Sequence, residues 1–267
     1  MKAYIQYFKI NLVTGLQYRV AAYAGVCTQF FWGFMYLMIF QAYYLSGSSN
    51  TDFSFKQMVS YIWLQQAFLS LIMTWFRDNE LFALITNGNL AYELCRPVDL
   101  YHFWYAKLLA KRLASAALRF LPIIVVALLL PEPYRMSLPA SYASLTLFIV
   151  SMTVGTLVMV SLSMFVYLLT MKTLSGTGAL LLFAVVGEFL SGSIIPLPLM
   201  PDAFRKIVEV LPFRFTADFP FRVYSAHIGT IQALQGIVLQ LVWLFALMLI
   251  GKLWMSHQLK RVSIQGG

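Results

Sequence analysis

Six long apolar runs, at about residues 20–45, 57–76, 113–131, 141–169, 178–199 and 232–255, alternate along the chain with shorter, more polar connections. Each is close to the roughly 20 residues that carry a helix across the ~30 Å hydrocarbon core of a bilayer. Helix also lets each run close its own backbone hydrogen bonds, as lipid requires. The pattern predicts an all-α, polytopic membrane protein with six transmembrane helices. Ahead of the first run, residues 1–19 are too polar to span, but Met1, Tyr4, Ile5, Phe8, Leu12 and Leu16 share one side of a helical wheel. That predicts an amphipathic helix, either lying at the membrane surface with Lys2 and Lys9 toward the headgroups or packed on protein as a lead-in. The first run is longer than the apolar core of a secretory leader and has no small-residue cleavage site after it. Residues 20–267 read as a single transmembrane domain.

Composition agrees. Of 267 residues, 60% are hydrophobic and 11% charged, against about 25% charged in a soluble domain, which excludes a water-soluble enzyme and leaves no room for a sizeable soluble domain. The net charge of +9 resides between the apolar runs, where it reads as topology and contact with anionic lipid headgroups rather than as a nucleic-acid footprint. One set of connections holds twelve Lys and Arg: Lys2, Lys9, Arg19, Arg77, Arg96, Lys107, Lys111, Arg112, Lys172, Lys252, Lys260 and Arg261. The other holds six: Lys56, Arg135, Arg205, Lys206, Arg214 and Arg222. The excess predicts both termini in the cytoplasm. Tyr43 and Tyr44 suit an outer interface, and Trp75, Trp104 and Trp254 an inner one. Cys27 and Cys95 predict no disulfide, and His102, His227 and His257 have no metal-ligand spacing.

Two connections are more than turns. In the cytoplasmic stretch 77–112, Asp78 can cap a short helix carrying Leu81, Leu84 and Ile85, which Asn87-Gly88 ends in a left-handed conformation. A second turn closes at Arg96-Pro97. So apolar a connection either docks on a partner or folds against its own helices. The outer stretch 195–222 holds Pro196, Pro198, Pro201, Pro212 and Pro220. Residues 201–211 read as a short helix with Pro201 near its first turn, an apolar face of Phe204, Ile207, Val208 and Leu211, and the pairs Asp202/Lys206 and Arg205/Glu209. Too short to span, it predicts a re-entrant element in the outer leaflet. The fifth run feeds it and is weakened by Gly187, Glu188, Ser191, Gly192 and Pro196, a broken segment of the kind that lines transport paths.

Only Glu188 and Arg119 are ionisable well inside apolar runs, and each must face protein, a cavity or the other. Glu188 is therefore a path candidate, joined by Gln29, Gln65 and Gln66 in the first two runs; Arg119 can instead snorkel to the interface. Ser151/Gly155 and Gly187/Ser191 are small pairs that let helices approach closely. No phosphate-cradling P-loop, metalloprotease or serine-hydrolase motif occurs, so neither catalysis nor ATP hydrolysis is expected of this chain.

The stretches ITNGNLAYELCRPVDL (85–100), FLSGSIIPLPLMPDAFRKIVEVLPF (189–213), FPFRVY (219–224) and the terminal QGG (265–267) resemble the membrane subunits of ABC-2-type exporters, specifically bacterial six-span permeases without a fused ATPase. The resemblance covers nearly the whole chain. It implies a transport subunit of the bacterial plasma or inner membrane that pairs with a second permease copy or a related permease around a central path. It also implies an ABC ATP-binding subunit as partner, with ATP and Mg in that subunit and no cofactor in this chain. Asp78, Leu81, Leu84 and Ile85 would form the coupling helix, Gly88, Arg96 and Pro97 would shape the segment after it, and Ser191, Gly192, Pro196, Pro201 and Pro212 would form the element at the outer mouth. The amphipathic N-terminal helix would share the ATPase contact. The rival reading is a secondary transporter or assembly subunit with no ATPase partner; against it, only one run is visibly broken, whereas such transporters carry paired broken helices.

Overall fold

The computed structural model describes residues 2–47, 52–173 and 175–260, and all regular secondary structure among them is helical. Two helices open the chain, α1 (Lys2–Leu16) and α2 (Arg19–Leu45), followed by α3 (Phe55–Ala67) and the four-residue α4 (Leu69–Ile72). Two short helices, α5 (Asn79–Thr86) and α6 (Leu90–Leu94), then precede the long α7 (Leu100–Leu129) and α8 (Tyr142–Thr173). After α9 (Gly176–Leu190) come the short α10 (Asp202–Val208) and α11 (Asp218–Tyr224), and α12 (Thr230–Leu259) ends the described chain. Met1, Arg261 and Gln265-Gly266-Gly267, which entered the sequence reading, lie outside the described residues.

Among the described residues four helices, α2, α7, α8 and α12, are long and apolar enough to cross a membrane. The other two expected spans are shorter. Instead of a helix over 57–76, α3 stops at Ala67, Phe68 leaves helical geometry, and α4 ends at Ile72 with Met73 extended. Thirteen residues of α3 rise only about 20 Å, and every residue from Met58 to Ala67 is buried. This segment is enclosed by protein, which its apolar composition could not distinguish from enclosure by lipid. The fifth span ends at Leu190 rather than near 199. There the Gly192 N–H donates to Phe189 O and the Ser193 N–H to Glu188 O, with Gly192 at φ +80°, a left-handed closure that glycine alone accepts without strain. The third span is longer than expected: Asp99 caps α7 by accepting the His102 N–H at 3.1 Å, so residues 100–112 belong to the helix and not to the connection. Trp104 is consequently fully buried beside Tyr167 and is no interfacial anchor.

The N-terminal helix packs on protein. Tyr7 stacks on Phe103 with ring centroids 3.6 Å apart, Asn11 is buried, and a Cβ at Gly15 would stand 2.6 Å from Ala114 Cβ. Tyr4, Tyr7, Asn11 and Gly15 thus form the packed stripe, while Ile5 of the expected apolar face is exposed. At the centre, α8 runs antiparallel to α7 and divides the core into two ends. One cluster joins α3, the second half of α7, the first half of α8, and α11. The other joins α5, the first half of α7, the second half of α8, and Met255 near the end of α12. Exposed apolar side chains line α2 (Phe31, Met38), α9 (Leu182, Val185) and α12 (Val238, Phe245), as lipid-facing helices require.

Candidate functional site

The segment after α4 is built as its sequence foretells. Asp78 is extended and its Oδ1 accepts the Leu81 N–H at 3.0 Å, capping α5. Leu81, Phe82 and Ile85 are buried, Leu84 half-buried, and Gly88 closes the segment at φ +73°. Phe82 lies 4.9 Å from the Tyr167 ring of α8, and the Arg77 guanidinium lies over the Phe82 ring at 5.1 Å. Asp78 is 0% exposed, a burial that would be prohibitive for an unpaired carboxylate. It is paired: Lys111 Nζ stands 2.7 Å from Oδ2 and Lys107 Nζ 3.6 Å from Oδ1. Lys107 and Lys111, one turn apart on α7, also reach Glu80 Oε2 at 2.6 and 3.4 Å. The Lys107 hydrogen bond holds the Glu80 carboxyl below its ordinary value. Two acids at the start of α5 are thereby clamped to two lysines of α7.

The stretch beyond α5 is left open. Asn87, Gly88, Tyr92, Leu94, Cys95, Arg96 and Pro97 are exposed, Tyr92 by 75%. Arg96 pairs with Glu93 at 3.2 Å and lies over the Phe103 ring at 5.5 Å. Of the two readings of the connection, α5 follows the second and folds on its own helices, while most of residues 87–97, apart from the buried Leu90, is exposed. Asp99 borders it: its N–H donates to Tyr4 Oη at 2.8 Å and its Oδ2 meets Lys252 Nζ at 3.2 Å, gathering α1, α7 and the end of α12 at the same place.

At the other end of α8, the chain from Ser191 to Arg222 is fastened to α3 through backbone carbonyls. Tyr61 Oη donates to Gly192 O at 2.9 Å and Gln65 Nε2 to Ser193 O at 2.7 Å. Asp218, 0% exposed, donates its N–H to Ser191 O, accepts from Leu197 N–H at 3.2 Å and pairs with Arg222 at 3.2 Å. Pro196 precedes a 3-10 turn at Leu197–Leu199, Pro201 precedes α10, and Pro212 opens a second 3-10 turn. Phe204 of α10 folds back on Phe189 of α9 at 5.4 Å. Two sequence expectations fail here. Ile207 is exposed rather than part of the apolar face. The expected pairs give way to Arg205–Asp202 at 2.6 Å and Arg214–Glu209 at 3.8 Å, because the helix ends after seven residues and Glu209, beyond it, turns toward Arg214.

The four path candidates do not form one site. Gln65 is spent on Ser193, and Gln66 packs beside Gly33 of α2. Gln29 is buried with neither amide atom hydrogen-bonded among the described residues. Glu188, half-buried on α9, makes no ion pair with Arg119, whose guanidinium packs against Gly25 instead. A pocket of about 300 Å³ lies by the start of α3, lined among others by Lys56, Gln57, Ser60, Leu138, Ala140 and Tyr224, and its Ser60 and Tyr224 hydroxyls are engaged with the Ser137 backbone. Sequence reasoning missed Tyr61, Asp218 and Gln240, whose Nε2 donates to both Ser151 O and Phe215 O at 2.9 Å. A signal existed for the last: Gly155 brings α8 so near that a Cβ would stand 2.6 Å from Phe215 O.

Residues 30–266 match the model of a family described as "ABC-2 family transporter protein". No curated protein matches the chain.

Proposed function

The chain belongs to the ABC-2 transporter family, and on that premise we propose that it is the permease subunit of an ATP-driven exporter, taking its motive force from a separate ATP-binding subunit. Family and apolar helices together make it a multi-pass membrane transport subunit rather than an enzyme. In the proposed arrangement α2, α3–α4, α7, α8, α9 and α12 are the six membrane segments of one permease domain, and two permease copies or relatives enclose the path. Residues 77–99 and both termini face the cytoplasm of a bacterial cell; residues 191–222 form the outer mouth.

The observation that carries this reading is the exposed surface 87–97 mounted on the buried Asp78–Lys107–Lys111 clamp. A loop with no mechanical duty needs no such foundation, whereas a surface that receives force must be fixed to the helices it moves. Supporting geometry comes from α8. Tyr167, at the coupling end, and Phe148, whose ring meets Tyr224 of α11 at 5.3 Å, are nineteen positions apart, about 28 Å along a helix and close to the thickness of a hydrocarbon core. The N-terminal helix and the end of α12 gather with residues 77–99, consistent with termini on one side. ATP and Mg belong to the partner ATPase in this reading; this chain supplies the docking surface and the moving helices.

Tyr92→Asp and Arg96→Glu alter only exposed positions. Co-purification of each variant with the ATP-binding subunit is expected to fall at least tenfold, with the melting temperature of the Tyr92→Asp permease unchanged. Full retention of the ATPase by both variants would refute the assignment.

A further inference from the structure

The strap from Met73 to Asp78 joins α4 to α5, and one side chain ties it to both long central helices. Arg112 of α7 is 0% exposed. Its Nη1 donates to the carbonyls of Ser70, Leu71 and Met73 at 3.3, 3.2 and 3.0 Å, closing the C-terminal end of α4. Its Nη2 donates to Ser163 Oγ of α8 at 2.9 Å, and the guanidinium lies 4.5 Å from the Phe76 ring centre. No carboxylate pairs with it among the described residues. A cation buried without an acid is costly, and a neutral donor would cap a four-residue helix at lower cost. What guanidinium adds is a rigid fork of donors that engages two directions at once. Here those directions are the strap and α8. One turn further along α8, Tyr167 Oη accepts the Asp78 N–H at 3.0 Å, so one end of the strap meets α8 directly and the other is linked to it through Arg112.

We infer that Arg112 is a positioning residue that carries a displacement of residues 79–97 into α8 at Ser163, by way of the strap carbonyls, beside the direct contact of Asp78 and Phe82 with Tyr167. This rests on the coupling role proposed above and adds a route by which the push enters the membrane helices. Lysine at 112 keeps the charge and can cap α4, but a point ammonium cannot span the strap carbonyls and Ser163 together. Ser163→Ala removes only the α8 end, with the Ser163–Met159 bond within α8 as the sole other loss.

The test is hydrogen exchange on the permease bound to its ATP-binding subunit in nanodiscs, with and without ATP plus vanadate, following peptides from 79–97 and from 157–173. In the wild type both regions are expected to change. In Arg112→Lys and Ser163→Ala the change in 79–97 persists, while that in 157–173 is at least threefold smaller. A 157–173 response equal to wild type in Ser163→Ala, the variant least able to disturb folding, would overturn the inference. So would a wild type in which 79–97 responds and 157–173 does not. No wild-type response at 79–97 would instead bring down the coupling role itself, and this route with it.

Discussion

Asp78 does two jobs with one carboxylate, capping α5 through Leu81 and holding Lys111 in a buried pair. Alanine there removes a cap, about 1 kcal/mol, and strips a buried ion pair of its acid, about 3 kcal/mol. Thermal unfolding in detergent should show Asp78→Ala clearly destabilised, and Asp78→Asn, which retains an acceptor for Leu81, destabilised less. Glu80 differs because its side chain is 72% exposed and well screened. Its pKa is lowered from 4.5 in the folded chain, chiefly by the Lys107 hydrogen bond. A depressed carboxylate stabilises above its unfolded pKa, and that contribution is lost as pH falls through the folded value. The wild type should therefore be slightly more stable than Glu80→Gln above about pH 4.5, with the gap closing at lower pH; a gap that widened on acidification would contradict the pairing. Asp78 was legible because a cap is a local pattern, an acid three positions before the N–H that donates to it. Arg112 and Asp218 were not: Arg112 meets Ser163 51 positions away and Asp218 meets Leu197 21 positions away, and nothing local marks either contact.

The helix end before Gly88 was readable from sequence, whereas Gly192 was read only as weakening a run expected to reach about 199. Gly88 and Gly192 both sit at positive φ, at +73° and +80°, but in unlike surroundings. A Cβ at Gly88 meets open space, whereas one at Gly192 would stand 2.9 Å from both Leu197 Cδ1 and Tyr61 Oη. Gly88→Ala should then cost only the left-handed penalty, about 1 kcal/mol, and Gly192→Ala distinctly more, measured by the same melting assay. Equal costs would mean that the α9 turn is not seated on Tyr61 as described. The second apolar run hid its break, because no glycine or proline interrupts residues 57–76 and the enclosure of α3 comes from elements distant in sequence. The start of α7 was misplaced for a related reason: Lys107, Lys111 and Arg112 looked like a polar connection, yet all three turn inward to the strap and α5.

At the scale of the whole molecule, α7 and α8 are antiparallel struts with one structured connection packed at each end. Hydropathy revealed the struts, and prolines, caps and glycines revealed that both terminal elements are structured. It could not reveal that Gln65 and Glu188 meet the same turn in different ways, Gln65 by its side chain donating to Ser193 O and Glu188 by its backbone carbonyl accepting the Ser193 N–H. The central claim is that the exposed part of residues 87–97 forms an inner surface that an ATP-binding subunit grips. Cys95 is exposed in the middle of that surface, so the most direct measurement is labelling of a Cys27→Ser chain with a membrane-impermeant maleimide in vesicles of known orientation. Cys95 is expected to react only from the cytoplasmic side and to become protected when the ATP-binding subunit is bound. Labelling from the outside, or labelling unchanged by that subunit, would contradict the account.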